Sequence, residues 1–371
     1  MKKLISFLLF LLFCVPVLPA LSAQAAPAFC DTLSAECAVL VDAENRRVLY
    51  GKDADKRHAM ASTTKIMTAL VALEHAPLDR VITVPDEAVG VEGSSVYLRA
   101  GERYTLEALL HALMLASAND AAEVIAHAIA GSTAAFAELM NEKAATLGLT
   151  DTHFENPHGL DSDGHYTTAR ELALIACEAL ENPDFERIVS TRRYVFSGID
   201  GENVRTLINH NKMLFLYDGA IGVKTGFTKR CGRCLVSAAK RDGMTLIAVT
   251  LDAPSDWSDH AKLLDHGYGS YESRRIAAPG EVSCTVPMFN TDTEVTVKNR
   301  DEIRLVLEKG APTPSPEYDI FPAPVAPVRA GALAGFVTYR SETGVEITVP
   351  LVFSEDVPLK NIQKGWFGTH R

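Results

Sequence analysis

The sequence predicts an α+β fold in which an antiparallel sheet, flanked by helices and interrupted by an all-helical insert, precedes a small all-β domain. Three observations predict it. Apolar, β-branched runs at Cys37–Asp42 and 47–50 flank a polar turn and form an N-terminal hairpin. The middle of the chain repeats apolar residues at helical spacing. From Ile221 strand patterns return at 221–225, 233–239 and 245–251, with Arg241-Asp242-Gly243 turning the last pair. Sheet-forming pieces on both sides of a helical middle give one α+β domain.

Taken in order, the chain opens with Lys2 and Lys3, an apolar run over 4–18, and Ala23-Gln24-Ala25-Ala26. This is the pattern of a secretory signal cleaved after Ala25, so residues 1–25 are expected to be a leader and the mature chain extracytoplasmic. Bulky Phe13 and Phe29 precede Cys14 and Cys30, which does not suit a lipid-anchored cysteine. No later stretch is long and apolar enough to span a bilayer. With 371 residues and 47% hydrophobic content the chain can build two domains. A net charge of −11 argues against a nucleic-acid surface or a broadly basic membrane patch.

The next helix starts at Ser62 and ends near His75, before Pro77, with Ile66, Met67, Leu70 and Val71 on its buried face. Thr105 caps a helix whose Leu106, Leu109, Leu110 and Leu113 share a face and which runs into Ser117-Ala118-Asn119. Further helices over 120–129 and 132–147 are broken by Gly131 and stopped at Gly148. Asn156-Pro157-His158-Gly159-Leu160 is a loop, and Thr168 with Glu171 makes a capping box. A closing helix over 258–271 turns Leu263 and Leu264 to the sheet, and Pro279-Gly280 marks a boundary. Beyond it, segments at 294–297, 303–307, 336–339 and 345–352 alternate as strands. Six prolines from Pro312 to Pro327 read as a long loop of that β region. At the end, Leu359, Ile362 and Trp366 recur at helical spacing beside Lys360 and Lys364. Residues 356–371 are thus either a short amphipathic tail for peripheral membrane contact or a frayed terminus.

The chemistry centres on Ser62-Thr63-Thr64-Lys65. Residues three apart on a helix are neighbours, so the Lys65 amine can reach the Ser62 hydroxyl. Serine needs a base to be nucleophilic, and a lysine serves when burial and a nearby positive potential hold it neutral. A second copy, Ser237 and Lys240, falls in a strand, where the two side chains point to opposite faces, and reads as structural. Two partners for the first copy follow in order: Ser117-Ala118-Asn119 at a helix end and Lys224-Thr225-Gly226 on a strand. A capped helix start, a polar helix end and a solvated strand would explain each alone. Their joint, ordered occurrence on fitting elements points to a catalytic site.

Other reactive residues are read as structural. Cys30, Cys37, Cys177, Cys231, Cys234 and Cys284 remain after cleavage, and six cysteines allow 15 complete pairings. Cys231-Gly232-Arg233-Cys234 has no second pair at zinc spacing and lies in a predicted hairpin. His153, His158 and His165 are spaced as loop residues without arranged acidic partners, so no metal is expected.

With this ordered triplet the chain resembles the serine DD-peptidases, the low-molecular-mass penicillin-binding proteins, and most closely their secreted D-alanyl-D-alanine carboxypeptidases. The likeness covers about residues 35 to 275 and includes Leu115-Ala116-Ser117-Ala118-Asn119-Asp120-Ala121-Ala122, the 156–160 loop and Gly222-Val223-Lys224-Thr225-Gly226-Phe227-Thr228. It implies a catalytic domain over 26–275, a β-rich second domain over 276–355, and no cofactor. It further implies that Ser62 attacks the carbonyl between two terminal D-alanines of a peptidoglycan stem peptide, forming an acyl-enzyme that water then resolves. Lys65 would be the base for acylation. Ser117 would relay a proton to the leaving amine, and Asn119 would hold the substrate amide. Lys224 and Thr225 would meet the terminal carboxylate, and Gly226 would let the substrate backbone approach. The N–H groups of Ser62 and Phe227 would form the oxyanion hole, and β-lactams would be covalent inhibitors.

Relatives often carry histidine where Phe227 stands, and some carry an arginine where this chain has Asp256-Trp257-Ser258-Asp259-His260. A DD-endopeptidase would use the same constellation. A β-lactamase would need a deacylating glutamate that Glu155-Asn156-Pro157 does not supply, and a silent wall-binding module would be expected to lose Ser62, Lys65 or Lys224.

Overall fold

The computed structural model describes residues 33–289, 294–322, 324–341 and 345–359. The expected leader, Cys30 and residues 360–371 of the proposed tail lie outside them. In the N-terminal hairpin, β1 (Cys37–Asp42) and β2 (Arg47–Lys52) pair antiparallel. β1 also pairs with β9 (Met244–Leu251), from Cys37 opposite Leu251 to Asp42 opposite Leu246. β8 (Gly232–Arg241) and β7 (Ala220–Thr228) complete a five-stranded sheet in the order β2-β1-β9-β8-β7. The two ends of the sequence pattern therefore close into one sheet, and β7 is its edge. Every residue of β1 is buried, which is why its sequence is a continuous apolar run rather than an alternating one.

The helical insert stands between β2 and β7. α1 (Lys65–His75) buries its first eight residues, among them Ile66, Met67, Leu70 and Val71. Each such side chain stabilises the fold by about 1.5–3 kcal/mol. Around it lie α2 (Leu106–Leu115), α3 (Asn119–Ala130), α4 (Thr133–Thr146) and α5 (Ala169–Leu180). The expected caps at Thr105 and Thr168 are present, and Ser132 adds a third, each accepting an N–H from three residues on; the Glu171 carboxylate accepts from Thr150 N, Asp151 N and Thr152 Oγ1, so the capping box keeps only its Thr168 half. α5 packs on β1 and β9, and the closing helix, found at Asp256–Ser270, on β8 and β9.

Several elements differ from expectation. The nucleophile segment Ala61–Thr64 is a 3-10 turn, entered by Ala61 at φ +45°, and α1 begins only at Lys65. Two short antiparallel pairs form, β3 (Val81–Thr83) with β4 (Arg103–Thr105) and β5 (Arg193–Phe196) with β6 (Arg205–Ile208). A helix over Pro183–Ser190, capped by Asn182, was hidden by its length. Within the proline-rich stretch, Pro316–Ile320 is a strand on the edge of the second sheet, paired with Leu333–Arg340. Proline opens it, where a missing N–H is tolerated.

From Ser34 onward the described residues form one compact unit with two hydrophobic cores. The first spans Cys37 to Leu251, and the second gathers Val295, Val297, Leu305, Val337 and Leu351 of the β-rich part. Tyr271–Ala277 follows the closing helix directly and pairs with Ile303–Glu308. Arg47 Nη1 donates to the Val306 carbonyl at 3.2 Å across the two parts. Among the described residues no helix is long and apolar enough to cross a membrane.

Candidate active site

Between the edge strand β7 and the helical insert lies a cleft of about 670 Å³. Ser62, Ser117, Thr225, Gly226 and Phe227 line it. Edge position matters here, because one row of β7 backbone groups is free of sheet partners and faces the insert. Gly226 makes the contact tight: a Cβ there would stand 3.1 Å from Met60 O, Ser62 N and Thr63 N. Glycine is thus needed for the close approach of β7 to the nucleophile turn itself.

Lys65 is fully buried, and its Nζ has three neighbours within hydrogen-bond distance. Ser62 Oγ lies at 3.0 Å, Asn119 Oδ1 at 2.7 Å and the His158 carbonyl oxygen at 2.6 Å. Burial, reinforced by the nearby charge of Lys224, holds the Lys65 amine well below its ordinary lysine range. A neutral amine has two hydrogens and one lone pair. Two carbonyl-type acceptors take the hydrogens, which leaves the lone pair for the Ser62 hydroxyl.

The loop predicted at 156–160 is what delivers the His158 carbonyl. Asn156 Oδ1 accepts from the N–H groups of His158 and Gly159 at 3.3 and 2.7 Å, and Thr68 donates to the Pro157 carbonyl at 2.6 Å. His158 Nε2 meets Glu123 Oε1 of α3 at 3.1 Å, both side chains being nearly buried. His165 instead bonds Thr64 Oγ1, and His153 the Gly164 carbonyl, so the three histidines serve separate partners.

The other candidates occupy distinct places. Ser117 sits between α2 and α3 with φ +61°, a left-handed conformation that turns it into the cleft. Asn119 has both ends of its amide engaged, since its Nδ2 donates to the Glu92 carbonyl at 2.6 Å. Its Oδ1 holds Lys65 in this arrangement. Lys224 is buried, its Nζ donating to the Thr225 carbonyl at 2.8 Å, and desolvation pushes its amine down to about 7. In the second Ser-x-x-Lys copy Ser237 is buried and Lys240 exposed, as opposite faces of a strand require.

Arg233 was missed by sequence reasoning. It stands opposite Phe227 in the β7–β8 ladder and lines the cleft beside Trp257. Buried Asp256 holds its guanidinium through Nε at 3.0 Å and Nη2 at 3.1 Å. Hairpin symmetry about the 229–231 turn would have placed it at the cleft.

A sheet of this order, with a serine beside a buried lysine amine at its edge, belongs to the class of penicillin-binding serine hydrolases. The family model described as D-alanyl-D-alanine carboxypeptidase matches residues 22–255. The chain belongs to that family, the S11 peptidases, and is an enzyme of it. It is 30% identical over 335 residues to D-alanyl-D-alanine carboxypeptidase DacF of Bacillus subtilis, covering 87% of this chain and 86% of the relative. Among solved structures, DacD of Francisella tularensis aligns with a TM-score of 0.66 at 28% identity, covering 88% of this chain and 94% of that one. A peptidoglycan synthesis regulatory factor, PBP3, of Streptococcus pneumoniae aligns at TM-score 0.77 and 25% identity over 88% of this chain and all of its own.

Proposed function

We propose that the protein removes the terminal D-alanine from peptidoglycan stem peptides ending in D-Ala-D-Ala, through an acyl-enzyme on Ser62 that penicillins trap. The observation that carries this reading is the Lys65 amine, buried, held low in proton affinity and 3.0 Å from Ser62 Oγ. Lys65 takes the Ser62 proton as the oxygen attacks the penultimate carbonyl. The N–H groups of Ser62 and Phe227 receive the oxyanion, each donor contributing about 3 kcal/mol at the transition state. Ser117, on the opposite wall, passes the proton to the departing D-alanine amine, and water then releases the shortened peptide. The substrate backbone lies along the free edge of β7. Such a substrate and the leader pattern at the N-terminus support a reaction outside the cytoplasmic membrane.

Specificity for a free carboxylate falls to Thr225, Lys224 and Arg233. The last supplies the cation that the 256–260 segment lacks, because Asp256 fixes the guanidinium at the cleft with N–H donors to spare. Cleavage of an acylated peptide ending in D-Ala-D-Ala, which frees D-alanine, compared with cleavage of its C-terminal amide, which frees D-alaninamide, tests this. The free acid is expected to be preferred, and Arg233→Ala to raise KM for it about ten-fold with little change in kcat. Equal cleavage of acid and amide would count against a carboxypeptidase.

Lys224 gives a pH signature. Its folded pKa of about 7 lies far below the 10.5 of a free lysine. Binding a carboxylate requires the charged form, so affinity for carboxylate substrates should fall as pH rises above 7. KM for the free acid is therefore expected to rise from pH 7 to 9, while KM for the amide stays flat. Stability has the opposite slope: between those pKa values the unfolded chain binds the extra proton, so this group makes the fold more stable as pH rises from 7 towards 10.

A further inference from the structure

The turn joining β7 to β8 carries two thiols that the reaction above leaves unused. Cys231 and Cys234 are both buried, with their sulfurs 3.9 Å apart. The Thr228 hydroxyl lies 3.1 Å from Cys231 Sγ, and the Cys231 N–H donates back to Thr228 Oγ1 at 3.1 Å. Thr228 follows Phe227, and Cys234 stands opposite Gly226 in the ladder. The pair therefore braces the piece of backbone that meets the Ser62 turn.

We propose that Cys231 and Cys234 are a reversible redox site, whose closure to a disulfide slows acylation at the neighbouring cleft. A disulfide bond is about 2 Å long, so closure needs the sulfurs to approach by only about 2 Å. That movement falls at a hairpin tip whose Lys229 and Arg230 are exposed, where local opening is least costly. Cys37, Cys177 and Cys284 are free thiols, and no other pair of sulfurs this close is found among the described residues.

The two thiols are unequal. The hydrogen bond from Cys234 holds the Cys231 thiol below its ordinary range, and the same bond raises that of Cys234. Cys231 is thus the attacking thiolate. It attacks one sulfur of an oxidising disulfide, expelling a thiolate and forming a mixed disulfide. Cys234 gives up its proton and attacks the Cys231 sulfur, expelling the second thiolate. The pair loses two electrons and two protons, and the oxidant becomes two thiols. Closure draws Cys231 away from Thr228, leaves the Thr228 hydroxyl its bond to Asp161 Oδ1 at 2.9 Å, and so loosens the residue next to the Phe227 N–H. A displacement of this kind at an oxyanion donor slows acylation by about ten-fold.

The test exposes the folded mature protein to oxidised glutathione, then alkylates, maps the cysteines by mass and measures acylation by a fluorescent penicillin. The expected result is loss of two hydrogens, a Cys231–Cys234 cross-link, slower acylation and full recovery with dithiothreitol. Cys231→Ser should acylate at one rate whether oxidised or reduced; Cys234→Ala serves if that variant does not fold. Two thiols that stay open to alkylation after denaturation would overturn the proposal, and so would a cross-link that leaves acylation unchanged. The rate readout rests on the Ser62 reading, whereas the mapping does not. Reduced protein that never acylates would refute that reading and, with it, the proposed control of acylation, whatever the mapping shows.

Discussion

Lys65→Met is expected to lower the rate of acylation by penicillin and by peptide about 10⁴-fold while the protein remains folded. Methionine matches the length of the stem and is suited to burial, so the loss isolates the amine. Asn119 Oδ1 and the His158 carbonyl use both hydrogens of a neutral amine, and the remaining lone pair has one partner, Ser62 Oγ. Without that base the hydroxyl must lose its proton to water. A lysine serving only as a fixed charge would behave differently, because Lys65→Arg would then keep most of the activity. Stopped-flow acylation of both variants, beside circular dichroism of each, separates the two roles.

Gly159→Ala is expected to be the most damaging small substitution outside the reacting groups. A Cβ at Gly159 would lie 1.9 Å from the Ala61 carbonyl oxygen and 2.9 Å from Thr64 Oγ1, and the residue has φ +88°. Neither backbone can yield without moving either the nucleophile turn or the loop that carries the His158 carbonyl. Steric and conformational terms together should cost about 3 kcal/mol or more, which is a fall in Tm of roughly 10 °C for a domain of this size. Acylation should drop with it, since both partners of the Lys65–Ser62 pair are displaced. Thermal melts and acylation rates of Gly159→Ala beside an exposed control such as Gly101→Ala check this; unchanged values for both would remove the loop from the account.

What could be read from the sequence was what short-range spacing encodes. Ser62 and Lys65 stand three positions apart, and the same interval sets the caps at Thr105 and Thr168, so local geometry follows directly. The strands of the first sheet were legible because Cys37–Asp42 and Met244–Leu251 are continuous apolar runs. What the sequence hid depends on distant backbone. A carbonyl such as that of His158 carries no side-chain signature, so its bond to Lys65 could not be foreseen from residue type. The close contact of Gly226 with the nucleophile turn is equally hidden, because a glycine's pattern does not say which backbone approaches it. The bonds of Asn119 to Lys65 and the Glu92 carbonyl likewise join residues far apart in the chain, which spacing does not encode. Arg233 was overlooked since its role depends on pairing across a hairpin with Phe227 and on Asp256 from the following helix. The strand at Pro316–Ile320 escaped notice because prolines signal loops everywhere except at an edge.

The central claim is that Ser62 is the nucleophile. Intact-mass spectrometry of the mature chain incubated with a penicillin, followed over time beside Ser62→Ala, tests it most directly. The account predicts a single, lasting adduct of the drug's mass on the native protein and none on the variant. Drug consumed without an adduct would mark a β-lactamase, and folded native protein that neither binds nor consumes the drug would contradict the account.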